Sequence, residues 1–547
     1  MQIKYKEKIL EIEQGSKIKD IFKDEISNNK YPVIGAKFNN KYQRLDYEIL
    51  QDGEVELIDI ASKQGMNIYK RTLIFILAKA FNKINSKIKL RVNYQLNNSM
   101  FCTLDNTEVT EELLEKVYNE MKNIVEKNLP IEEKKLTRKE AEDLYSKENS
   151  SRGRLQLNLE ENPIINMYFC EDYYNYIYDI IAINTGITKI FNLEKYDKGF
   201  LLRYPSSKTP NELIQYKETK KLLWALNEYN NIHKVLGITT IYELNNTIKD
   251  EKKLKNMIML EEALHEKKIA QIADKIAFNN KVKMVLIAGP SSSGKTTFAQ
   301  RLGIQLKLNG IKPVMISVDN YFVEREQTPK DKNGEYDFES IEAIDLKLFN
   351  QDLKKLLNGE EIECPEFDFH VGTKRYKGKK MHLEEDEVLI IEGIHCLNDR
   401  LTSEISKDQK YKVYISDLTV LNMDRINRIS TTDTRLVRRI VRDHQFRGYT
   451  AEHTLNAWNN VNLGEEKNIF PFQEQADSIF NTSLIYELAA LKNIALPLLQ
   501  NIEKDKKVYA ESQRIIELLK YFEPIPNEKI PRNSLLKEFL GGGDFEY

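Results

Sequence analysis

The stretch from Gly289 to Thr296 fits the spacing GxxxxGK[ST], which is typical of a loop that binds phosphate groups. Glycines let consecutive backbone N–H groups turn toward one anion, and the following helix N-terminus adds partial positive charge. Lys295 could reach the outer phosphates of a nucleotide, and the Thr296 hydroxyl could ligate Mg²⁺. The strand before the loop and the helix after it disfavour a Gly/Ser-rich turn that binds nothing. The predicted ATP contacts in the loop are Gly289, Ser291, Ser292, Ser293, Gly294, Lys295, Thr296 and Thr297.

Two acidic residues follow apolar runs and are candidates for chemistry on a phosphate acceptor. Asp319 comes directly after VMISV, and Glu392 ends EVLIIE. The carboxyl ends of parallel strands meet at one edge of a sheet, so both residues should face the crevice of the phosphate loop. Asp319 could accept the proton of an attacking hydroxyl, and Glu392 could hold Mg²⁺ directly or through water. The alternatives are a helix or turn cap for Asp319 and a solvated loop position for Glu392.

Arginine is concentrated between residues 424 and 447, which contain seven of the chain's 20 arginines and no lysine. Because lysine is the commoner cation elsewhere, this choice suggests bidentate recognition of oxyanions. A helical spacing places four of them on one face: Arg435, Arg438, Arg439 and Arg442. Such a face could form a lid over nucleotide phosphates, and the alternative is a salt-bridged surface helix.

The elements that must position these residues alternate between strand and helix in the second half. Near-continuous apolar runs, typical of a parallel sheet covered by helices on both faces, occur at 283–288, 313–318, 388–391 and 411–415. Earlier, short alternating runs predict a small mixed sheet, followed by helices from Asn67 and over 111–128. We predict a multidomain α/β protein with units at 1–60, 61–245, 246–280 (a helical connector), 281–500 and 501–547 (a C-terminal helix and tail).

Composition excludes several classes of protein. The 547 residues are 41% apolar and 30% charged, with a mean hydropathy of -0.53 and a formal net charge of -2. No run approaches the roughly 18 apolar residues of a membrane span, and a polycation that coats nucleic acid is excluded. The four cysteines form no CxxC pair, and the first residues contain no apolar signal region. These features favour a cytoplasmic protein without a membrane partner.

The second half resembles the uridine kinase and phosphoribulokinase family of P-loop enzymes. The resemblance rests on GPSSSGKTT, DNYF, YDFES, CPEFDF, IIEGI and DTRLVRRIVRDHQFRG, which occur in the family's order. It implies that Asp319 is the general base for a nucleoside 5′-hydroxyl, that Lys295 and Arg438 also serve catalysis, and that Asp337 holds the ribose hydroxyls. The implied substrate-binding residues are Tyr336, Asp337, Phe367, Phe369, His370 and Arg435, and Arg439 and Arg442 are assigned to ATP. Pyrimidine kinases of the family have Tyr at the position of Phe367, so the base preference is left open.

The first half resembles the N-terminal region of threonyl-tRNA synthetases. Residues 1–60 look like their ubiquitin-like TGS domain, and GMNIYKRTLIFILAKA at 65–80 looks like the helix of the following editing-type domain. The family's HxxxH, Cys and His positions are occupied here by Arg71, Phe75, Ile177 and Ile181, none of which can ligate zinc. The resemblance implies a β-grasp domain and an α+β editing-like domain without metal ligands, and we expect no zinc.

The leading hypothesis is an ATP-dependent phosphotransferase that acts on the 5′-hydroxyl of uridine or cytidine, with Mg²⁺ held by Thr296 and Glu392. One alternative is a sugar-phosphate acceptor, for which Arg325 and Arg375 are nearby cations. Another is a non-enzymatic RNA-binding or nucleotide-sensing regulator, which the first half suggests but the net charge does not support. We also expect a homo-oligomer.

Overall fold

The computed structural model describes residues 1–147, 164–330, 334, 336–368 and 371–546. Its first elements are β1 (Gln2–Tyr5), β2 (Lys8–Glu11), α1 (Ile18–Ile21), α2 (Lys23–Asn28), β3 (Val33–Phe38), β4 (Lys41–Gln43) and β5 (Gly53–Asp59). The strands form one mixed sheet in the order β2-β1-β5-β3-β4, and β1 and β5 are parallel neighbours. Alternate residues such as Ile3 and Tyr5 are buried, because successive strand side chains point to opposite faces. This strand order is that of the predicted β-grasp unit.

The next region packs two antiparallel sheets around one long, nearly buried helix. Its elements are α3 (Lys63–Ile84), β6 (Leu90–Gln95), β7 (Ser99–Leu104), α4 (Glu111–Glu126), β8 (Glu132–Thr137), α5 (Arg138–Lys147), β9 (Ile164–Cys170), β10 (Tyr173–Asn175), β11 (Asn192–Tyr196) and β12 (Gly199–Arg203). The sheet orders are β11-β12-β7-β6 and β10-β9-β8. Ser62 caps α3 by accepting a hydrogen bond from the Gly65 amide at 3.0 Å. Because α3 is apolar on most of its faces, it is stable only when surrounded by protein.

The second half is built on a five-stranded parallel sheet. Its elements are β13 (Met284–Ala288), α9 (Lys295–Leu308), β14 (Lys312–Ser317), α10 (Leu346–Leu357), β15 (Ile362–Asp368), β16 (Thr373–Met381), β17 (Glu387–Glu392), β18 (Lys410–Ser416), α11 (Thr431–Arg447), α12 (Ala451–Asn468), β19 (Ser478–Asn481) and α13 (Glu487–Gln500). The sheet order is β14-β17-β13-β18-β19, and β15 and β16 form a separate hairpin. This sheet confirms the predicted α/β class. The sequence did not predict β19, because four residues are too few for a periodic signal.

Three helices connect the two halves along the chain: α6 (Lys220–Leu236), α7 (Ile241–Ile248) and α8 (Glu251–Ala277). The sequence predicted α8 as a connector, but its apolar residues, including Ile258 and Ile269, belong to the same core as β13 and α9. Glu266 on α8 accepts a hydrogen bond from Arg301 on α9 at 2.8 Å. Helix α8 is therefore part of the second half's packing. Within the described ranges, no helix is both long and apolar enough to cross a bilayer.

The C-terminal region packs back onto the second half. It contains α14 (Tyr509–Lys520) and a short helix, α15 (Lys537–Leu540). Leu535, Leu536 and Phe539 are completely buried. Burial of such apolar side chains stabilises the docked segment by about 1.5–3 kcal/mol each. The predicted tail is thus a packed element of the fold.

The two halves share a polar interface. The Asn422 side-chain amide donates a hydrogen bond to the Val92 carbonyl at 2.8 Å. The hydroxyls of Tyr176 and Tyr521 lie 2.6 Å apart. Buried polar groups need such partners, so these contacts fix which surfaces meet. The positions of the domain boundaries stay a prediction.

Candidate active site

The phosphate loop joins β13 to α9 at the centre of the parallel sheet. Ser292 and Gly294 have φ angles of 59° and 84°, in the region that turns consecutive N–H groups toward one point. At Gly289, a Cβ atom would lie 2.2 Å from the Ile415 carbonyl oxygen, so only glycine fits there. The backbone around the loop therefore has the shape that an anion site requires.

Lys295 begins α9, and its ammonium group lies against the loop. Its Nζ donates to the carbonyl oxygens of Gly289 at 3.1 Å and Pro290 at 3.3 Å. Burial raises the pKa values of Asp319 and Glu392, and the positive charge of Lys295 opposes the increase in both, as expected for three groups in one site. A phosphate that enters the loop can take over this ammonium from the two carbonyls.

Asp319 and Glu392 lie at the carboxyl ends of two neighbouring strands, β14 and β17. Ser317 pairs in register with Glu392, and Asp319 follows two residues later in the chain. The Thr296 hydroxyl lies 3.4 Å from Glu392 Oε1. The structure therefore brings the predicted base, the predicted Mg²⁺ ligands and Lys295 to one edge of the sheet, as parallel pairing requires.

The protein raises the pKa values of both carboxyl groups. Asp319 keeps an exposed surface, yet it loses part of its hydration in the cleft, and this loss raises its pKa. The positive charges of Lys295 and Arg447 oppose the increase. Burial raises the pKa of Glu392 to about 7, although the positive charge of Lys295 opposes this increase. The negative charges of Asp319 and Glu538 add to it. Neighbouring carboxyl groups with raised pKa values are typical of a site that receives cations or protons.

Thr296 and Glu392 provide the hard oxygen ligands that Mg²⁺ prefers. Within the part of the chain that the structure describes, no group of three or more His, Cys, Asp or Glu residues could hold a metal ion. An ion between Thr296 and Glu392 would therefore need phosphate oxygens and water as its other ligands, which is usual for Mg²⁺ at nucleotide sites.

We expect Mg²⁺ affinity at this site to fall as the pH falls through 7. Glu392, with a pKa of about 7, is largely protonated at pH 6 and largely ionised at pH 8, and a cation binds only the ionised form. The apparent affinity should be about tenfold lower at pH 6 than at pH 8. Calorimetric titration of Mg²⁺ into the full chain with a non-hydrolysable ATP analogue measures it. Glu392→Gln serves as control, and an identical pH dependence in this variant would exclude Glu392 as the titrating group.

Helix α11 lies beside the loop and contacts it through several of its aligned arginines. Arg435 donates to the Ser291 carbonyl at 3.3 Å, and Arg439 donates to the Ser291 hydroxyl at 2.7 Å. Arg442 instead donates to the Asp443 carboxylate at 2.8 Å. In this arrangement the helix holds the loop, and the predicted contacts of Arg439 and Arg442 with ATP stay a prediction.

Arg438 lies beneath the loop and is completely buried. Its Nε donates to Glu487 at 2.6 Å, its Nη2 to the Thr482 carbonyl at 2.9 Å, and its Nη1 to the Ser292 carbonyl at 3.4 Å. The resemblance implied that Arg438 serves catalysis, and this role stays a prediction. The structure directs its donors to protein groups, so its position is that of a residue that orients the loop.

The predicted acceptor-side residues occupy different environments. Asp337 forms an ion pair with Lys467 at 3.2 Å, and Tyr336 is 38% exposed. Phe367 is buried, and its ring centroid lies 5.5 Å from that of Phe322. Two further residues predicted for the base pocket lie outside the described residues: Phe369 and His370.

Glu339 belongs to this site but was not predicted from the sequence. Burial raises its pKa, and the charges of Lys295 and Asp319 also act on it. Glu339 lies two residues after Asp337 in the motif YDFES. Treating both acidic residues of the motif as candidates would have identified it. It is an additional candidate to accept hydrogen bonds from acceptor hydroxyls.

Glu465 on α12 is a second residue that sequence reasoning missed. Its carboxylate receives two hydrogen bonds from Arg435, at 2.6 and 2.8 Å, and one from the Ser291 amide at 2.8 Å. Arg435 is thereby buried and paired, although it was predicted to bind substrate. No local pattern indicates this pair, because its members lie on two helices.

In the first half, the four positions that correspond to metal ligands come together without ligand chemistry. Phe75, Ile177 and Ile181 are buried in one apolar core. Arg71 forms an ion pair with Asp179 at 3.0 Å. The side chains at these four positions therefore offer no lone pair to a metal ion.

A phosphate loop at the end of a parallel strand, with a lysine and two strand-end carboxylates around it, defines a P-loop phosphotransferase domain. Residues 284–485 match the model of the Phosphoribulokinase / Uridine kinase family, and this region is a domain of that family. The N-terminal region matches threonine–tRNA ligases. Both predicted resemblances are therefore confirmed.

The relatives cover different parts of the chain. A uridine kinase of Staphylococcus epidermidis is 27% identical over 201 residues, which are 37% of this chain and 87% of that enzyme. A threonine–tRNA ligase of Clostridium tetani is 33% identical over 165 residues, which are 29% of this chain but only 26% of the ligase. A structure described as a possible uridine kinase from Bacillus stearothermophilus is 18% identical, covers 37% of this chain and 89% of its own, and has a TM-score of 0.24.

Proposed function

We propose that the protein is a cytoplasmic, ATP-dependent nucleoside kinase that phosphorylates the 5′-hydroxyl of uridine or cytidine. The observation that carries this proposal is the placement of Lys295, Asp319 and Glu392 beside the phosphate loop, at the carboxyl ends of neighbouring parallel strands. The match of residues 284–485 to the kinase family supports phosphoryl transfer, and the likeness to uridine kinases supports a nucleoside acceptor.

Catalysis in this proposal is positioning and charge stabilisation. The loop amides and Lys295 hold the donor phosphates in line with the acceptor. Asp319 takes the hydroxyl proton onto its carboxylate, and its raised pKa makes it a stronger base than an ordinary aspartate. Thr296 and Glu392 would hold Mg²⁺, which when bound neutralises charge on the phosphates.

The sugar-phosphate alternative finds less support. It would need cations that are available to a second phosphate near Asp319. Arg375 is already paired with Asp368 at 3.0 Å, on the hairpin of β15 and β16. Arg447, whose charge acts on Asp319, is a cation that a second phosphate could use, so the likeness to uridine kinases is what favours a nucleoside as the proposed acceptor.

ADP release from MgATP with a panel of nucleosides and sugar phosphates tests the proposal. We expect uridine or cytidine to give the highest kcat/KM and the product to be the 5′-monophosphate. A sugar phosphate as the best acceptor would overturn the assignment of substrate. No turnover with any acceptor, by a protein that binds MgATP, would overturn the kinase assignment.

For the first half we propose a structural or partner-binding role, and we expect neither bound zinc nor hydrolysis of aminoacyl esters. The apolar side chains of Phe75, Ile177 and Ile181 would leave a dication without ligands, and the guanidinium at Arg71 cannot ligate a metal ion. Metal analysis of the purified full chain should find less than about 0.1 equivalent of zinc. One equivalent that disappears after substitutions within residues 65–190 would contradict this prediction.

A further inference from the structure

The first turn of α9 already carries a carboxylate. The Glu538 carboxylate accepts a hydrogen bond from the Thr297 hydroxyl at 2.7 Å and another from the Thr297 amide at 3.2 Å. Glu538 and Thr297 are both buried. The amides of a helix's first turn have no partner within the helix, and in a phosphate loop they are the groups that receive phosphate oxygens. Glu538 thus occupies the position of an anionic ligand.

The segment that carries Glu538 covers the same end of the helix. A Cβ atom on Gly294 would lie 2.7 Å from the Leu535 side chain, so Leu535 packs directly on the loop. The Phe539 ring lies 5.2 Å from the Arg438 guanidinium, and Gln445 on α11 donates to the Leu540 carbonyl at 3.4 Å. Residues 534–540 therefore fill the space between the loop and the arginine helix.

The two sides of the phosphate loop differ in their exposure to solvent. Lys295 and Thr296, which face the outer phosphates, keep exposed surface. Thr297, one residue further along the helix, is completely covered. Moreover, the negative charge of Glu538 acts on Glu392, so it reaches the site where donor phosphates must bind. A donor could place its terminal phosphates on the open side, but a phosphate at Thr297 would meet Glu538.

We propose that residues 534–540 are an internal competitor for the nucleotide: Glu538 takes the place of a donor phosphate on Thr297, and the nucleotide binds fully only when this segment withdraws. The inference rests on the proposed function, since it assumes that the loop binds a nucleotide. It assigns to the C-terminal segment control over access to the donor site.

Glu538→Gln tests the competition, because it removes the charge but keeps the shape of the side chain. ATP binding to the full chain should tighten about 5-fold to 30-fold, as expected when a carboxylate is lost from a helix N-terminus. Pyrophosphate is the matched probe, because it can occupy the open side of the loop beside Lys295 with no third phosphate for Thr297. It loses only the long-range repulsion of Glu538, so its affinity should rise much less than that of ATP. The control variant is Glu528→Gln, an exposed glutamate outside the segment. Unchanged or weaker ATP binding, or equal tightening of both ligands, would overturn the proposal.

Hydrogen exchange of the wild-type chain gives a second test that does not depend on a variant. Amides of residues 534–540 should exchange faster when MgATP is bound, because the segment must leave α9. Slower or unchanged exchange would overturn the proposal. Both measurements follow binding alone, so their outcome is separate from that of the nucleoside assay. If Glu538→Gln binds ATP tightly but phosphorylates no nucleoside, the proposed function fails and the competition stands.

Discussion

Replacing Asp319 with Asn should lower kcat by roughly 10²–10⁴-fold and leave ATP affinity nearly unchanged. The substitution keeps the size of the side chain but removes the group that would receive the hydroxyl proton. Asp319 follows β14 beside Glu392, and its backbone amide donates a hydrogen bond to the Ser317 hydroxyl at 3.3 Å, away from the phosphate loop. Steady-state rates with MgATP and the best nucleoside, together with calorimetric ATP binding, measure both quantities.

Asp505→Asn provides the control for Asp319→Asn, because Asp505 is an exposed aspartate far from the loop in sequence. It should retain the wild-type kcat. If Asp319→Asn keeps more than half of the wild-type kcat, Asp319 is not the base. A loss of ATP binding as large as the loss of kcat would instead indicate that Asp319 supports the loop.

Replacing Arg438 with Lys should lower kcat by about 10-fold to 100-fold and raise the KM for ATP much less, because misplacement of the loop affects the transition state most strongly. Lysine keeps the charge but has a single nitrogen, whereas Arg438 reaches Glu487, Thr482 and the Ser292 carbonyl together. The polar groups left behind are buried, so the free energy of unfolding should also fall by about 2–4 kcal/mol. Steady-state kinetics and thermal unfolding measure the two effects.

Arg400→Lys is the matched control for Arg438→Lys. Arg400 forms an exposed ion pair with Glu342 at 2.9 Å, and the substitution should change neither kcat nor stability appreciably. Full activity of Arg438→Lys would show that the charge alone suffices and that the guanidinium does not orient the loop. A rise in the KM for ATP with unchanged kcat would indicate a role in ground-state binding.

The sequence determined those parts of the site that follow from local rules. The phosphate loop is a continuous motif, so its strand, turn and helix were predictable from one stretch of chain. Asp319 and Glu392 were predictable because each ends an apolar run, and parallel strands bring their carboxyl ends to one edge. The sequence likewise indicated that the first half has no metal site at the positions of the related family's ligands, which are Arg71, Phe75, Ile177 and Ile181. The residue type alone decides whether a side chain can ligate a metal.

Only the tertiary structure decided which partners the charged side chains have. The helical spacing predicted one arginine face, but the pairing of Arg435 with Glu465 and of Arg438 with Glu487 depends on how three helices pack. The same is true of Glu538, which lies 241 residues from Thr297 in the chain. Buried charges require partners, yet sequence spacing contains no information about contacts between distant segments. The arginine helix that the sequence predicted as a lid contacts the phosphate loop through Arg435 and Arg439, and its role over a bound nucleotide stays a prediction. The predicted tail packs against the inner side of the loop.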